Sequence, residues 1–164
     1  DRSLELLNDF KDLSKINVVK NKMSILELFD DIKQTMIPLF NAKNIKYEIK
    51  CESNIVLNAD YNRMKQVLVN LIKNSIEACN KEKNLITVTT FCSNTTLYIV
   101  VKDNGEGMDK DTLEKIFTPF YTTKHYGTGL GVCLSKEIIE AHNGSLNYTS
   151  VKNKGTVAKI VLPV

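Results

Sequence analysis

The sequence predicts an α+β domain in which helices stack on one face of a sheet. Four segments carry apolar residues at helical spacing, and two pairs of short runs are separated by turn residues as in β-hairpins. A third observation is the composition: 164 residues, 43% hydrophobic and 25% charged, suffice for one substantial core and exclude disordered or fibrous classes.

From Leu4 to Ile16, residues Leu6, Leu7, Phe10, Leu13 and Ile16 share one side of a helical wheel, and the mostly polar stretch Asn17 to Lys22 then reads as a linker. Ser24 is placed to cap a second helix reaching about Ala42. Its core stripe is Ile25, Phe29, Ile32, Met36 and Phe40, with Pro38 kinking or shortening it. Ile45 to Cys51 and Ile55 to Asn58 read as short strands. Asp60 is placed to cap a third helix extending to about Asn80, with no Gly or Pro inside it. Leu85 to Phe91 and Leu97 to Lys102 form a hairpin, and a Gly-rich stretch follows at once. Five of the seven glycines lie between Asp103 and Gly131, which makes that region a long loop with a short helix around Asp111 to Ile116. A last helix, about Leu130 to His142, stops at Asn143-Gly144, and a final hairpin turns at Asn153 to Gly155.

Several function classes drop out. The net charge is only +3, with 22 basic residues scattered among 19 acidic ones, so nucleic acid is not the expected partner. Cys51, Cys79, Cys92 and Cys133 are widely spaced and form no Cys-x-x-Cys pair, which argues against a zinc site or disulfide framework and for reduced thiols in the cytosol. No apolar run approaches the roughly 18 residues of a membrane span.

On the third helix, Met64, Val67, Leu68, Leu71, Ile72, Ser75 and Ala78 gather on one face, and Arg63, Gln66, Asn70, Lys73, Asn74 and Glu77 on the other. A polar face is usually solvated surface, but Asn is a poor helix former, and two asparagines four apart point the same way. An Asn side chain offers a neutral oxygen to Mg²⁺, which takes oxygen ligands and shares them with phosphates; Asn74 suits that role, and Lys73 could neutralise a phosphate. Asp103-Asn-Gly-Glu-Gly107 follows a strand, so its carboxylate sits where a rigid element ends. It can accept from the exocyclic amine of adenine but meets only a carbonyl oxygen in guanine. Gly127-Thr-Gly-Leu-Gly131 opens the last helix with unhindered backbone N–H groups, which suits phosphate, although it is not a Walker motif.

Taken in order and spacing, Asn70-x-x-x-Asn74, Asp103-x-Gly-x-Gly107, Phe117-x-x-Phe120, Gly127-x-Gly-x-Gly131 and Lys154-Gly-Thr156 resemble the N box, first glycine box, F box, second and third glycine boxes of sensor histidine kinases. The resemblance covers about Met23 to Val164. It implies a two-layer α/β sandwich of the histidine kinase and gyrase ATPase type, with three main helices on one face of a mixed five-stranded sheet. ATP would lie between the N-box helix and a lid, with Mg²⁺ on Asn74. By position, Asn70 supports the phosphate or metal side, Asp103 reads adenine, and Gly105 and Gly107 allow close approach. Gly127, Thr128, Gly129, Leu130 and Gly131 shape the end of the lid, Lys124 contacts the γ-phosphate, and Thr156 supports the adenine pocket. Asn70 stands where gyrase-like ATPases carry a water-activating Glu, which implies slow hydrolysis and favours a kinase.

The resemblance further implies that residues 1–16 end a dimerisation helix, residues 17–22 link it, and residues 23–164 form the catalytic domain. The phosphate acceptor would be a histidine on helices outside this chain, since His125 lies in the lid and His142 at a helix end. Expected partners are those acceptor helices and a cognate response regulator, in a parent that is a homodimer, generally membrane-anchored, with this domain in the cytoplasm; the piece alone could be monomeric. An anti-sigma-factor serine kinase, or a catalytically silent nucleotide-binding module, shares the nucleotide motifs, and the amphipathic start speaks against the former.

Overall fold

The computed structural model describes residues 2–14, 16–52, 54–123 and 129–164. Its elements run α1 (Arg2–Ser14), β1 (Asn21–Ser24), α2 (Ile25–Ala42), β2 (Lys46–Cys51), β3 (Val56–Ala59), α3 (Tyr61–Ala78), β4 (Leu85–Ser93), β5 (Thr96–Asp103), α4 (Lys110–Lys115), α5 (Gly131–Ala141), β6 (Ser145–Val151) and β7 (Gly155–Pro163). The main sheet has the order β2-β4-β5-β7-β6; β2 runs parallel to β4 and every other pairing is antiparallel. The expected mixed five-stranded sheet with α2, α3 and α5 on one face is thus present.

The period-2 pattern of the strands explains why one face is covered. Ile86 and Val88 in β4, Leu97, Ile99 and Val101 in β5, and Ala158, Ile160 and Leu162 in β7 all point inward. They meet Leu28, Phe29, Ile32 and Met36 of α2, Leu71 and Ile72 of α3, and Ile138 and Ile139 of α5 in one core. Each fully buried aliphatic side chain of this kind contributes about 1.5–3 kcal/mol.

Caps fall where the sequence places them. The Ser24 side chain accepts from the Glu27 N–H and starts α2. Pro38 does not shorten that helix, which continues to Ala42. Pro38 and Gln34 both lie on the exposed side, so the Gln34 carbonyl that loses its partner is open to water. Asn143, with φ 61, supplies the left-handed stop after α5, and the Gly144 N–H returns to the Ile139 carbonyl.

One element lies where a linker was expected. Residues 21–24 pair antiparallel with β3, from Asn21↔Ala59 to Ser24↔Val56, in a separate two-stranded sheet. Met23 is the one residue of β1 buried by this pairing, so the strand carries almost no hydrophobic alternation. The apolar stripe of α1, by contrast, is largely exposed: Leu7 and Phe10 are each 52% accessible, while Ile16 packs partly against the core.

Asp60 joins several of these elements. Its Oδ1 caps α3 by accepting from the Arg63 N–H at 3.1 Å, and its Oδ2 accepts from the Val19 N–H at 2.8 Å. Its own N–H donates to Nε2 of buried His142, 2.9 Å away, so the ring must carry its proton on Nδ1, which donates to the Ile138 carbonyl at 2.8 Å. Substituting Asp60→Ala should therefore cost about 1–2 kcal/mol in urea unfolding, the upper part of the range for a lost helix cap, because a second backbone donor is released with it. A loss below a few tenths of a kcal/mol would show that the cap and the Val19 anchor are dispensable.

Candidate functional site

At one end of the sandwich an open cleft of ≈ 360 Å³ is lined from α3 by Asn70, Lys73, Asn74, Ser75 and Glu77, and from the sheet by Asp103, Tyr148 and Thr156. Gly107, Gly129 and Gly131 border it as well. Its size suits a small-molecule site. The polar face of α3 is therefore a wall of the cleft, where the sequence alone allowed plain solvent contact. Lys124, Gly127, Thr128 and His125 lie outside the described residues. Two further expected positions stand behind the wall: Leu130 is fully buried at the start of α5, and Gly105 makes its close approach to the Ala78 backbone instead.

Asp103 ends β5 opposite Thr156 and is 5% exposed. Burial pushes its carboxyl above the ordinary aspartate range, and the Gly105 N–H at 2.9 Å, the Ser75 hydroxyl and the Thr156 N–H oppose that shift. Its ionised form is thus kept by three donors in a place that disfavours charge. Since the folded pKa is raised, the stability this group contributes is fully present below the ordinary range near 3.9 and is lost as pH rises through the folded value. Ionising Asp103 therefore works against the fold. The neighbouring Cys79 thiol is pushed up to about 11, by burial first and by the charge of Asp103 second, so it stays protonated and inert.

Asn70 is built into the junction of α3 and α5. Its Nδ2 donates to Ser135 Oγ at 3.1 Å, and its Oδ1 lies where a Cβ on Gly131 would be. Thr156 is held in turn by Ser150: the two hydroxyls are 2.8 Å apart, Ser150 Oγ donates to the Gly155 carbonyl at 2.9 Å and accepts from the Met108 N–H at 2.8 Å. Thr156 must then be the donor to Ser150, which leaves its lone pairs facing the cleft.

The two phenylalanines of the Phe117-x-x-Phe120 motif divide. Phe117 packs edge-on against Tyr148, with ring centroids 5.8 Å apart, and carries Lys136 Nζ over its face at 4.7 Å. Phe120 is 54% exposed, with φ 66, and meets Phe10 of α1 at 6.3 Å. The Phe120 N–H donates to the Gly129 carbonyl at 2.9 Å.

Sequence reasoning did not single out Ser75, Ser135, Ser150, Tyr148, Glu5 or Asp9 as site residues. A serine inside the apolar stripe of the third helix was a usable signal for Ser75, and the alternation Leu146, Tyr148, Ser150 was one for the inward face of β6. Nothing in the sequence places Glu5 and Asp9 of α1 on the cleft, where the structure has both. Tyr148 closes the floor. Its hydroxyl is shut off from solvent and faces Asn74 without completing a hydrogen bond; burial drives its pKa upward, with Asn74 opposing, so the phenol keeps its proton.

Residues 59–164 match the family described as "Histidine kinase-, DNA gyrase B-, and HSP90-like ATPase". The chain belongs to that family. It is 32% identical to "Sporulation kinase B" of Bacillus subtilis (strain 168) over 164 residues, 99% of this chain and 38% of that protein. The chain thus spans about two fifths of that relative's length. Among solved structures it resembles the nucleotide-free catalytic domain of histidine kinase ThkA, with TM-score 0.79 and 31% identity over 88% of this chain and 95% of that one. It also resembles histidine kinase ThkA in complex with the response regulator protein TrrA, with TM-score 0.83 and 27% identity over 99% of this chain and 47% of that one.

The glycines separate two kinds of close approach. A Cβ on Gly107, at φ +63, would meet the backbone carbonyl of Val151, whereas one on Gly131 would meet the rotatable Asn70 amide. Gly107→Ala should therefore cost about 2–3 kcal/mol in chemical denaturation and Gly131→Ala less than about 1 kcal/mol, since the latter also gains helix propensity. Equal costs for the two would contradict the packing described.

Proposed function

We propose that this chain binds MgATP in the cleft and, within a longer protein, presents the γ-phosphate to a histidine on an acceptor helix. The observation that carries this reading is the convergence of Asn70 and Asn74 from α3 with Asp103 and Thr156 from β5 and β7 around one cavity. Asp103 is a buried, fixed acceptor suited to an exocyclic amine, and Thr156 keeps lone pairs beside it. The start of α5 at Gly131 offers backbone N–H groups to phosphate.

The charge of the wall supports a metal. Among the described residues, Glu5, Asp9, Glu77, Asp103 and Glu106 line the cleft and Lys73 is the lone basic residue that does so. A triphosphate entering such a wall needs a cation to offset repulsion, and Asn74 offers a neutral oxygen of the kind Mg²⁺ shares with phosphates. Bound Mg²⁺ would neutralise charge on the transferring phosphoryl group, and the residues here would hold that group in line with its acceptor. Lys124 is proposed as a γ-phosphate contact. Asn70 cannot act as a general base toward water, which supports slow hydrolysis and is compatible with transfer to a histidine.

The exposed apolar stripe of α1 supports its reading as the end of a dimerisation helix, with residues 17–22 as the connection and 23–164 as the catalytic unit. It also weighs against the serine-kinase alternative. The proposed partners are the acceptor helices of the same or a second protomer and a response regulator, as ThkA has in its complex. No helix among the described residues is long and apolar enough to cross a membrane, and a cytoplasmic catalytic domain on a membrane-anchored parent is the arrangement proposed.

Calorimetric titration tests this directly. Wild-type protein should bind ATP far more tightly with Mg²⁺ than in EDTA, and Asn74→Ala should lose at least about ten-fold of that affinity, while Asp103→Asn abolishes the preference for ATP over GTP. Affinity should also decline on acidification from above the ordinary carboxylate range, because the raised pKa of Asp103 removes its acceptor early. Binding that is unchanged in both variants would refute the site. Transfer of labelled phosphate to an added acceptor-helix fragment tests the kinase step.

A further inference from the structure

Tyr148 lines the cleft across from Asn74 of α3. It stands on the inward face of β6 opposite Ala158, between Leu146 and Ser150, and its ring is clamped edge-on by Phe117. Among the described residues its hydroxyl is the buried side-chain polar atom without a hydrogen-bond partner. Such a group costs stability unless a ligand or a rearranged neighbour satisfies it, and in native folds an orphan of this kind calls for an explanation. Its polar neighbours are Asn74, which faces it, and the charge of Asp103.

We propose that Tyr148 is a positioning residue for Asn74: its phenol oxygen accepts from the Asn74 Nδ2 and thereby turns Oδ1 toward the cleft, where a divalent cation bound with nucleotide would sit. The inference rests on the MgATP reading above and adds what aims the ligand. An Asn amide presents either oxygen or NH₂ to a given side, and NH₂ toward a cation is repulsive. The amide can face a metal only if its NH₂ finds an acceptor on the opposite side. The Tyr148 oxygen is that acceptor. Packing by Phe117 fixes the ring, so the hydroxyl is held in place before any ligand arrives.

The test is Tyr148→Phe, which removes the hydroxyl and keeps the ring against Phe117. Affinity for ATP in the presence of Mg²⁺ should fall about five- to ten-fold, while affinity in EDTA stays at the wild-type value. The melting temperature of the nucleotide-free protein should hold or rise, because an unsatisfied buried hydroxyl is gone. In an Asn74→Ala background the same change should have no further effect on the metal dependence, the mark of two residues acting as one unit. Equal losses with and without Mg²⁺ would overturn the proposal and assign Tyr148 to pocket shape alone; an unchanged or strengthened metal dependence would overturn it too. A wild-type protein that gains nothing from Mg²⁺ would instead strike at the MgATP reading, and the two failures are thereby told apart.

Discussion

The structure depends on how α3 is held at both ends. Its first turn is capped by Asp60, whose N–H is fixed by His142 at the end of α5. Its last turn leaves carbonyls without helical partners, and the Ala78 carbonyl accepts the Glu106 N–H at 2.8 Å, drawing the glycine loop against the helix. That loop can come so close only because Gly105 has no Cβ to strike Ala78. Fixed in this way, α3 cannot rotate. Successive side chains 100° apart then do different work: Ser75 points into the sandwich and donates toward Asp103, while Asn74 points along the cleft. A single helix sets both the core and the geometry of the site.

The site itself is a compromise between charge and burial. Asp103 is kept in an environment that resists its ionisation, and three donors hold it there in part. A buried carboxylate in such a place gains from each further donor it accepts. The same logic applies in reverse to the Tyr148 hydroxyl, which is buried without its full complement of partners. Groups that are costly in the free domain cluster on the floor of the cleft rather than in the core beneath α2, where buried side chains are apolar.

What was legible in the sequence followed from local physics. The caps at Ser24 and Asp60, the stripe Ile25, Phe29, Ile32, Met36 and Phe40, and the left-handed Asn143 depend on neighbours within a few residues, and all stand as expected. Strand β1 was illegible because four residues with one buried side chain carry no period, and its partner β3 lies more than thirty residues away. The parallel pairing of β2 with β4, the placing of α1 over the cleft, and the tie of Thr156 to Ser150 are long-range or register facts of the same kind. Pro38 does not end its helix: on an exposed face the lost hydrogen bond goes to water, and the helix continues to Ala42. Asn70, Asn74, Asp103 and Thr156, which the motifs single out, line one cavity, but whether a polar helix face is surface or wall depends on the fold across from it.

Helix α1 shows why the fold and the charge of the site cannot be treated apart. It is attached by the Asp12–Arg63 pair at 3.1 Å and by Phe10 against Phe120, and it lies beside α5. Partly exposed ion pairs of this kind are worth little individually and weaken with salt. Yet this light attachment brings Glu5 and Asp9 onto a cleft already lined by Glu77, Asp103 and Glu106. Two of its five carboxylates therefore come from an element whose apolar stripe is mostly solvent-exposed. Since Coulomb interactions in a partly desolvated cleft are several-fold stronger than in bulk water, the position of α1, which carries Glu5 and Asp9, bears on the field at the site. Helix α1 is thus joined to the rest of the domain through Phe10 and Arg63 while it supplies part of the charge of the cleft.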